Sequence, residues 1–160
     1  MSIKKILIAG NELLHKKSDE VLFDEMNYIE GIMKDLRDTL IDFRRKDGSG
    51  RGIAAPQIGI LKRVIYLNVP EPFLIINPLL EFIDDEKIIV WDDCFSFPGI
   101  KVRVKRYKRC LLRYKDEFWN DRLLKIENEM SELIQHEYDH LDGILALSRA
   151  IDGNSFKMTG

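Results

Sequence analysis

Apolar residues recur at spacings of three and four from Asp24 to Arg45, with charged residues between them. This period places the apolar side chains on one face of an α-helix. Asp24 is a suitable N-cap, and the sequence at 46–50 contains the glycines that commonly end a helix. The pattern therefore predicts a first helix over about residues 24–45.

The middle of the chain has the composition of β-strands, because short segments rich in β-branched and aromatic residues are separated by Pro, Asn and Asp. An extended arm or short strand over 3–9 comes before the first helix. The predicted strands lie at 63–68, 73–76, 79–83, 87–91 and 101–107, followed by a hairpin of 109–114 and 117–119.

A second helix is predicted over 123–141, ending at Asp142-Gly143. We expect a terminal strand at 144–147 and a loose polar tail from Ser148. Helices and strands do not alternate regularly, so the expected fold class is α+β and not a doubly wound sheet. A chain of 160 residues is expected to form a single domain over residues 1–160.

Composition narrows the function classes. Apolar residues make up 45% and charged residues 32% of the chain, and the formal net charge is −2. This balance favours neither nucleic-acid binding nor a membrane surface, and the apolar runs are too short to span a bilayer. No secretory signal is recognisable, so the two cysteines are expected to be reduced and the protein cytoplasmic.

Residues 135–140 contain the motif H-E-x-x-H, with His136 and His140 four positions apart. On a helix, residues at this spacing share a face, with Cβ atoms about 5–6 Å apart. Two imidazoles can then reach one metal ion, while Glu137 is oriented to act as a base on water. A helix can also carry two surface histidines without any metal.

Two histidines do not complete a catalytic metal site, which commonly has three protein ligands. The remaining histidine, His15, has no ligand-like setting. Cys94 is the better candidate, because it follows a predicted strand and lies beside two carboxylates, Asp92 and Asp93. A further segment, 50–59, is rich in small residues, which is typical of a glycine-rich turn or of a backbone that approaches a ligand closely.

Three segments together resemble the peptide deformylase family, which carries G-x-G-x-A-A-x-Q, E-G-C-L-S and Q-H-E-x-D-H in this order. The matching segments here are Gly50–Gln57, Asp92–Ser96 and Gln135–His140. The resemblance extends over residues 3 to 147. It implies a fold of antiparallel β-sheets packed around a central helix that carries H-E-x-x-H.

The resemblance also implies a ligand set and catalytic roles. One divalent metal ion would be held, with Fe²⁺ expected natively and Zn²⁺ or Ni²⁺ able to replace it. Glu137 would be the general base and acid, and the Gln57 side chain and Phe95 backbone N–H would stabilise the oxyanion. The implied metal ligands are Cys94, His136 and His140, and the implied substrate-binding residues are Gly50, Arg51, Gly52, Ile53, Val90 and Leu133.

The implied reaction removes the N-formyl group from the amino-terminal methionine of nascent polypeptides. The expected partner is an N-formylated peptide, including nascent chains at the ribosome. We expect no direct contact with nucleic acid or membrane, and a monomeric protein.

Some residues depart from the family pattern. Arg51, Glu129 and Glu132 stand where the family has apolar residues, and Asp93 replaces a glycine. We expect Glu129 and Glu132 to face solvent, with Leu133 forming an apolar wall. Alternatively, the pocket is polar and Arg51 pairs with one glutamate. A divergent hydrolase of another N-formyl or N-acyl amine, and a non-catalytic metal-binding relative, therefore remain as alternative functions.

Overall fold

The computed structural model describes residues 2–159. The first helix, α1, spans Met26–Asp47 and begins two residues later than predicted. The preceding residues form a 3₁₀ turn, in which the Glu25 carboxylate accepts a hydrogen bond from the N–H of Leu22. Gly48 ends the helix in the left-handed conformation, with φ 83°. The helix buries an apolar face formed by Ile29, Ile32, Leu36 and Leu40.

Within residues 2–159, eight strands form two antiparallel sheets. The larger sheet has the order β1-β2-β3-β6-β7, and the smaller has the order β4-β5-β8. The strands are β1 (Gly52–Ala54), β2 (Val64–Asn68), β3 (Pro72–Phe82), β4 (Lys87–Asp92), β5 (Ile100–Tyr107), β6 (Arg109–Lys115), β7 (Asp121–Glu127) and β8 (Phe156–Met158).

The predicted strands 73–76 and 79–83 are in fact one strand, β3. Its pairing with β6 shifts register between Ile76 and Leu79, so the interruption is a bulge. Asn77 lies at this bulge with φ 52°, and its side chain binds both the N–H and the carbonyl of Val21. The Asn-Pro sequence therefore marks an irregularity within a strand and not its end.

The prediction of a helix from residue 123 was wrong. Residues 121–127 form the edge strand β7, in which only Ile126 is buried. Its sequence does not alternate between apolar and polar residues, so no strand was predicted there. The predicted strand 117–119 was also wrong, because these residues lie in the turn between β6 and β7. In that turn the Asp116 carboxylate accepts hydrogen bonds from the N–H groups of Phe118 and Asn120.

The C-terminal predictions were wrong as well. Residues 146–149 form a 3₁₀ turn instead of a strand. The tail is not loose, since Phe156–Met158 returns as β8 and pairs with Ile100–Val102 of β5. At the other end, residues 3–9 form an extended arm, in which the N–H of Leu7 donates to the Gln57 carbonyl.

The second helix, α2, spans Asn128–Leu141 and contacts strands of both sheets. Its apolar residues Leu133, Ile134 and Leu141 belong to the core cluster of the larger sheet. The α+β class and the antiparallel sheets around a main helix are confirmed. No helix within the described part of the chain has the length and apolarity needed to cross a bilayer.

Candidate metal centre

Cys94, His136 and His140 meet at one point between the sheets. Their ligand atoms all lie within 4.8 Å of one another, and the Cys94 Sγ is 3.4 Å from Nε2 of His140. The two histidines are one turn apart on α2, and Cys94 lies in the turn that follows β4. Ligands of a tetrahedral ion bound at 2.0–2.3 Å are separated by about 3.5 Å, so the spacing suits one ion.

Asp92, the last residue of β4, orients His136. Its Oδ2 lies 2.8 Å from Nδ1 of His136, which directs Nε2 of the same ring towards the cluster. Burial opposes the charged form of both groups. Nevertheless, the nearby carboxylate of Asp92 and the Cys94 sulfur raise the pKa of His136 well above its ordinary value. The His136 and Arg106 charges likewise overcome burial and lower the pKa of Asp92.

Arg106 on β5 connects Asp92 to the site helix. Its Nη2 donates to Asp92 Oδ2 at 3.1 Å, and its Nη1 donates to Asp139 Oδ2 at 2.7 Å. Arg149 donates two further hydrogen bonds to Asp139. Sequence analysis did not identify Arg106, although a signal was present. Strand alternation puts Arg106 on the inward face of β5 with Val102 and Val104, where a buried guanidinium requires carboxylate partners.

Glu137 is buried, and burial raises its pKa to about 7. Its Oε1 has no hydrogen-bond partner among residues 2–159. Nδ1 of His140 is also without a partner in this part of the chain. Burial and the charge of His136 lower the pKa of His140 well below its ordinary value.

Gln57 reaches the cluster from the 3₁₀ turn after β1. Its Oε1 accepts a hydrogen bond from the Ala54 N–H at 3.0 Å, and this fixes the orientation of the amide. Nε2 is therefore directed towards Ser96 Oγ at 3.2 Å and Cys94 Sγ at 3.5 Å. The N–H of Phe95 has no backbone acceptor among residues 2–159. Both groups are hydrogen-bond donors beside the ligand cluster.

A cavity of about 410 Å³ opens over these groups. Its wall includes four of the six residues predicted to bind substrate: Gly50, Arg51, Gly52 and Leu133. Ile53 is instead buried in the core beneath α1. Val90 packs against the apolar cluster of the smaller sheet, because it lies on the inward face of β4.

The expectation that Glu129 and Glu132 both face solvent was right for Glu129 and wrong for Glu132. Glu129 is exposed, but Glu132 is buried, and its Oε1 is 2.9 Å from Nη2 of Arg51. Burial raises the pKa of Glu132, while the Arg51 charge opposes that rise. Arg51 in the cavity wall is therefore paired with a buried carboxylate on the site helix.

The donor set fits a divalent ion. A thiol and two imidazoles with converging ligand atoms are the ligand types that zinc and similar metals take. The unpartnered Glu137 oxygen lies beside them, where a carboxylate can exchange protons with bound water.

Comparison with known proteins agrees with this geometry. The family model described as polypeptide deformylase matches residues 3–155. Peptide deformylase 1 of Prochlorococcus marinus is 35% identical, with 100% of this chain and 87% of that protein covered. Peptide deformylase of Helicobacter hepaticus is also 35% identical, with 90% and 81% covered.

Solved structures give the same result. The crystal structure of peptide deformylase from Thermotoga maritima matches with a TM-score of 0.86 at 29% identity, covering 95% of this chain and 100% of that one. The structure from Legionella pneumophila matches with a TM-score of 0.82 at 30% identity, covering 92% and 86%. The chain therefore belongs to the polypeptide deformylase family, the metal-dependent hydrolases that remove the N-formyl group from the amino-terminal methionine of nascent peptides.

Proposed function

We propose that this chain, as one domain over residues 1–160, hydrolyses N-formyl-methionyl peptides through the groups around its cavity. Cys94, His136 and His140 hold one divalent ion, which on binding lowers the pKa of water and polarises a carbonyl group. Glu137 is the general base and acid. The observation that carries the proposal is that Glu137, whose Oε1 has no hydrogen-bond partner among residues 2–159, lines one cavity with Cys94 and His136 of the three converging ligand residues.

Glu137 takes a proton from the attacking water as the water oxygen forms a bond to the formyl carbon. Its pKa of about 7 in the metal-free protein places it near the pH at which a general base is most effective. The same carboxyl group then gives the proton to the amine nitrogen as the C–N bond breaks. The products are formate and a free amino terminus, so atoms and charge balance.

Gln57 and Phe95 stabilise the charge that develops on the formyl oxygen. The Gln57 amide is held by the Ala54 N–H, so its Nε2 faces the ligand cluster. The Phe95 backbone N–H is the second donor. Each such donor typically contributes about 2.7–4 kcal/mol in the transition state.

The native ion is proposed to be Fe²⁺, with Zn²⁺ or Ni²⁺ able to take its place, since thiolate and imidazole bind all three. The substrate is proposed to include nascent chains at the ribosome. The protein is proposed to act as a monomer in the cytoplasm. No direct nucleic-acid or membrane contact is required.

One observation favours a second candidate, a hydrolase of another N-formyl or N-acyl amine. The Arg51–Glu132 pair puts charge in a wall where the family has apolar residues. The presence of all the catalytic groups argues against a non-catalytic relative.

The test is anaerobic purification with metal analysis, followed by measurement of formate released from formyl-Met-Ala-Ser. We expect one divalent ion per chain and turnover. Glu137→Gln should retain the metal and lose about 10²–10⁴-fold in kcat, the usual span for general acid–base catalysis. Glu129→Gln, at an exposed position on the same helix, is the control. Equal turnover in the two variants would contradict the proposed role of Glu137.

A further inference from the structure

Arg51 separates Glu132 from the cavity. The Arg51 side chain lines the cavity and is 44% exposed, whereas the Glu132 side chain is only 10% exposed. Their contact joins Nη2 of Arg51 to Oε1 of Glu132 at 2.9 Å. A substrate in the cavity therefore meets the guanidinium, and the carboxylate lies behind it.

The position of this pair along the site helix can be compared with the length of the substrate. Glu132 precedes His136 by four residues on α2, which is about 6 Å along the helix axis. In an N-formyl peptide, five bonds separate the formyl carbon from the δ atom of the first side chain, and these span about 6 Å when extended. A first side chain that extends from the formyl group along α2 towards Glu132 would bring its δ atom to the Arg51–Glu132 pair.

The Arg51 guanidinium can donate hydrogen bonds to a substrate at this position. Arginine carries five N–H donors, and within residues 2–159 Arg51 uses one of them, towards Glu132. The δ atom of methionine is a thioether sulfur, which is only a weak acceptor. An oxygen attached to the δ atom would accept a strong, charge-assisted hydrogen bond.

We propose that Arg51 is a specificity-determining residue that selects N-formyl peptides whose first side chain carries an oxygen acceptor on its δ atom. Methionine sulfoxide is the member of this class that arises by oxidation of formyl-methionine, and glutamine is a second member, with an amide oxygen on its δ atom. Norleucine has the same length but no acceptor. The inference rests on the proposed function, because it concerns the side chain of the peptide that is deformylated.

The experiment uses the metal-loaded enzyme and compares kcat/KM for formyl-X-Ala-Ser peptides in which X is methionine sulfoxide, glutamine, methionine or norleucine. In wild type the sulfoxide and glutamine peptides should exceed norleucine by about tenfold, the lower end for a hydrogen bond to a charged group. The double variant Arg51→Leu/Glu132→Leu removes both charges together, so neither is left buried alone. It should abolish the tenfold ratio.

The control is Glu129→Leu, which removes an exposed charge from the same helix and should keep the wild-type ratio. Metal content and Tm establish that each variant is folded. Should the double variant not fold, Arg51→Lys decides the matter. It keeps the charge but not the planar fork, and the ratio should fall to an intermediate value. Inhibition by the deformylated sulfoxide peptide gives a second readout. This inhibition should be weaker in the Arg51 variants than in wild type, in parallel with the fall in the kcat/KM ratio.

Two results together would overturn this inference alone. They are release of formate from formyl-Met-Ala-Ser, and a sulfoxide-to-norleucine ratio of kcat/KM that is the same in wild type and in the folded Arg51 variants. Absence of formate from every peptide would overturn the proposed function and this inference with it.

Discussion

Arg106 lies 3.1 Å from Oδ2 of Asp92, the same oxygen that is 2.8 Å from Nδ1 of His136. The family carries glutamate at the position of Asp92, so the carboxylate here is one methylene shorter. Arg106 also binds Asp139 on the site helix, and so it fixes Asp92 and His136 relative to each other. It acts on the metal site through another residue, as a positioning group.

Arg106→Lys should weaken metal binding by about 10–100-fold, the usual cost of disturbing the partner of a metal-bound histidine. Lysine keeps the charge but cannot bridge Asp92 and Asp139 with a planar fork. The measurement is a chelator competition. Arg103→Lys on the same strand is the control, since Arg103 is 39% exposed and pairs with Asp152. Equal metal affinity in both variants would show that Arg106 does not contribute to metal binding.

Cys94→Ser should lose most of its metal, whereas Cys110→Ser should keep it. Cys94 is one of the three converging ligands, while Cys110 is fully buried in the core of the larger sheet. Burial raises the pKa of the Cys110 thiol, which keeps it protonated and unreactive. Metal analysis of the two purified variants is the measurement. Equal metal content would exclude Cys94 as a ligand.

Gly52→Ala should impair the site, because a Cβ there would lie 2.5 Å from Cδ2 of Leu67 and 3.2 Å from Oε2 of Glu137. The Leu67 side chain, β1 or the Glu137 carboxylate must therefore move. We expect kcat to fall at least tenfold, since a displacement of about 1 Å can cost 10²-fold. Gly153→Ala is the control, because nothing lies within 4 Å of a Cβ at that position. Unchanged kcat in Gly52→Ala would show that β1 tolerates the shift.

The metal-free protein should show a pH-dependent stability that is specific to Glu137. Its pKa is raised from 4.5 to about 7 in the folded chain, so the folded state binds the proton more tightly than the unfolded state. The resulting stability is present below pH 4.5 and is lost as the pH rises through 7. At pH 8, metal-free Glu137→Gln should therefore unfold with a free energy on the order of 3 kcal/mol higher than wild type.

This difference should shrink towards pH 5. Comparing the two proteins cancels the titration of groups that both retain. Denaturant unfolding of chelator-treated protein at several pH values measures the difference in unfolding free energy. Parallel curves of unfolding free energy against pH for wild type and Glu137→Gln would contradict the raised pKa of Glu137.

Sequence alone was enough to predict which three side chains the fold brings together at the candidate metal site, because H-E-x-x-H relates two of them by helical period and Cys94 lies at the end of a regular strand. Pairing between distant segments was harder to predict. The partner of Glu132 lies 81 positions away, and only the fold brings Arg51 to it. The outcome for Glu132 and Glu129 differs because one faces a loop and the other faces solvent.

Strand boundaries were predicted poorly where a strand lies at a sheet edge. β7 buries only Ile126, so no apolar period distinguishes it from the helix that follows. The change from strand to helix occurs at Asn128, which has φ 54°, a conformation that asparagine tolerates better than most residues. β8 consists of three exposed residues, and its pairing with β5 could not be inferred from composition.

The candidate ligand set brings together residues that belong to both sheets. Cys94 follows β4 of the smaller sheet, while His136 and His140 belong to the helix packed on the larger sheet. A bound ion therefore acts as a crosslink between the two sheets, and its binding energy adds to the stability of their association. Loss of the ion should therefore lower the free energy of unfolding of the protein.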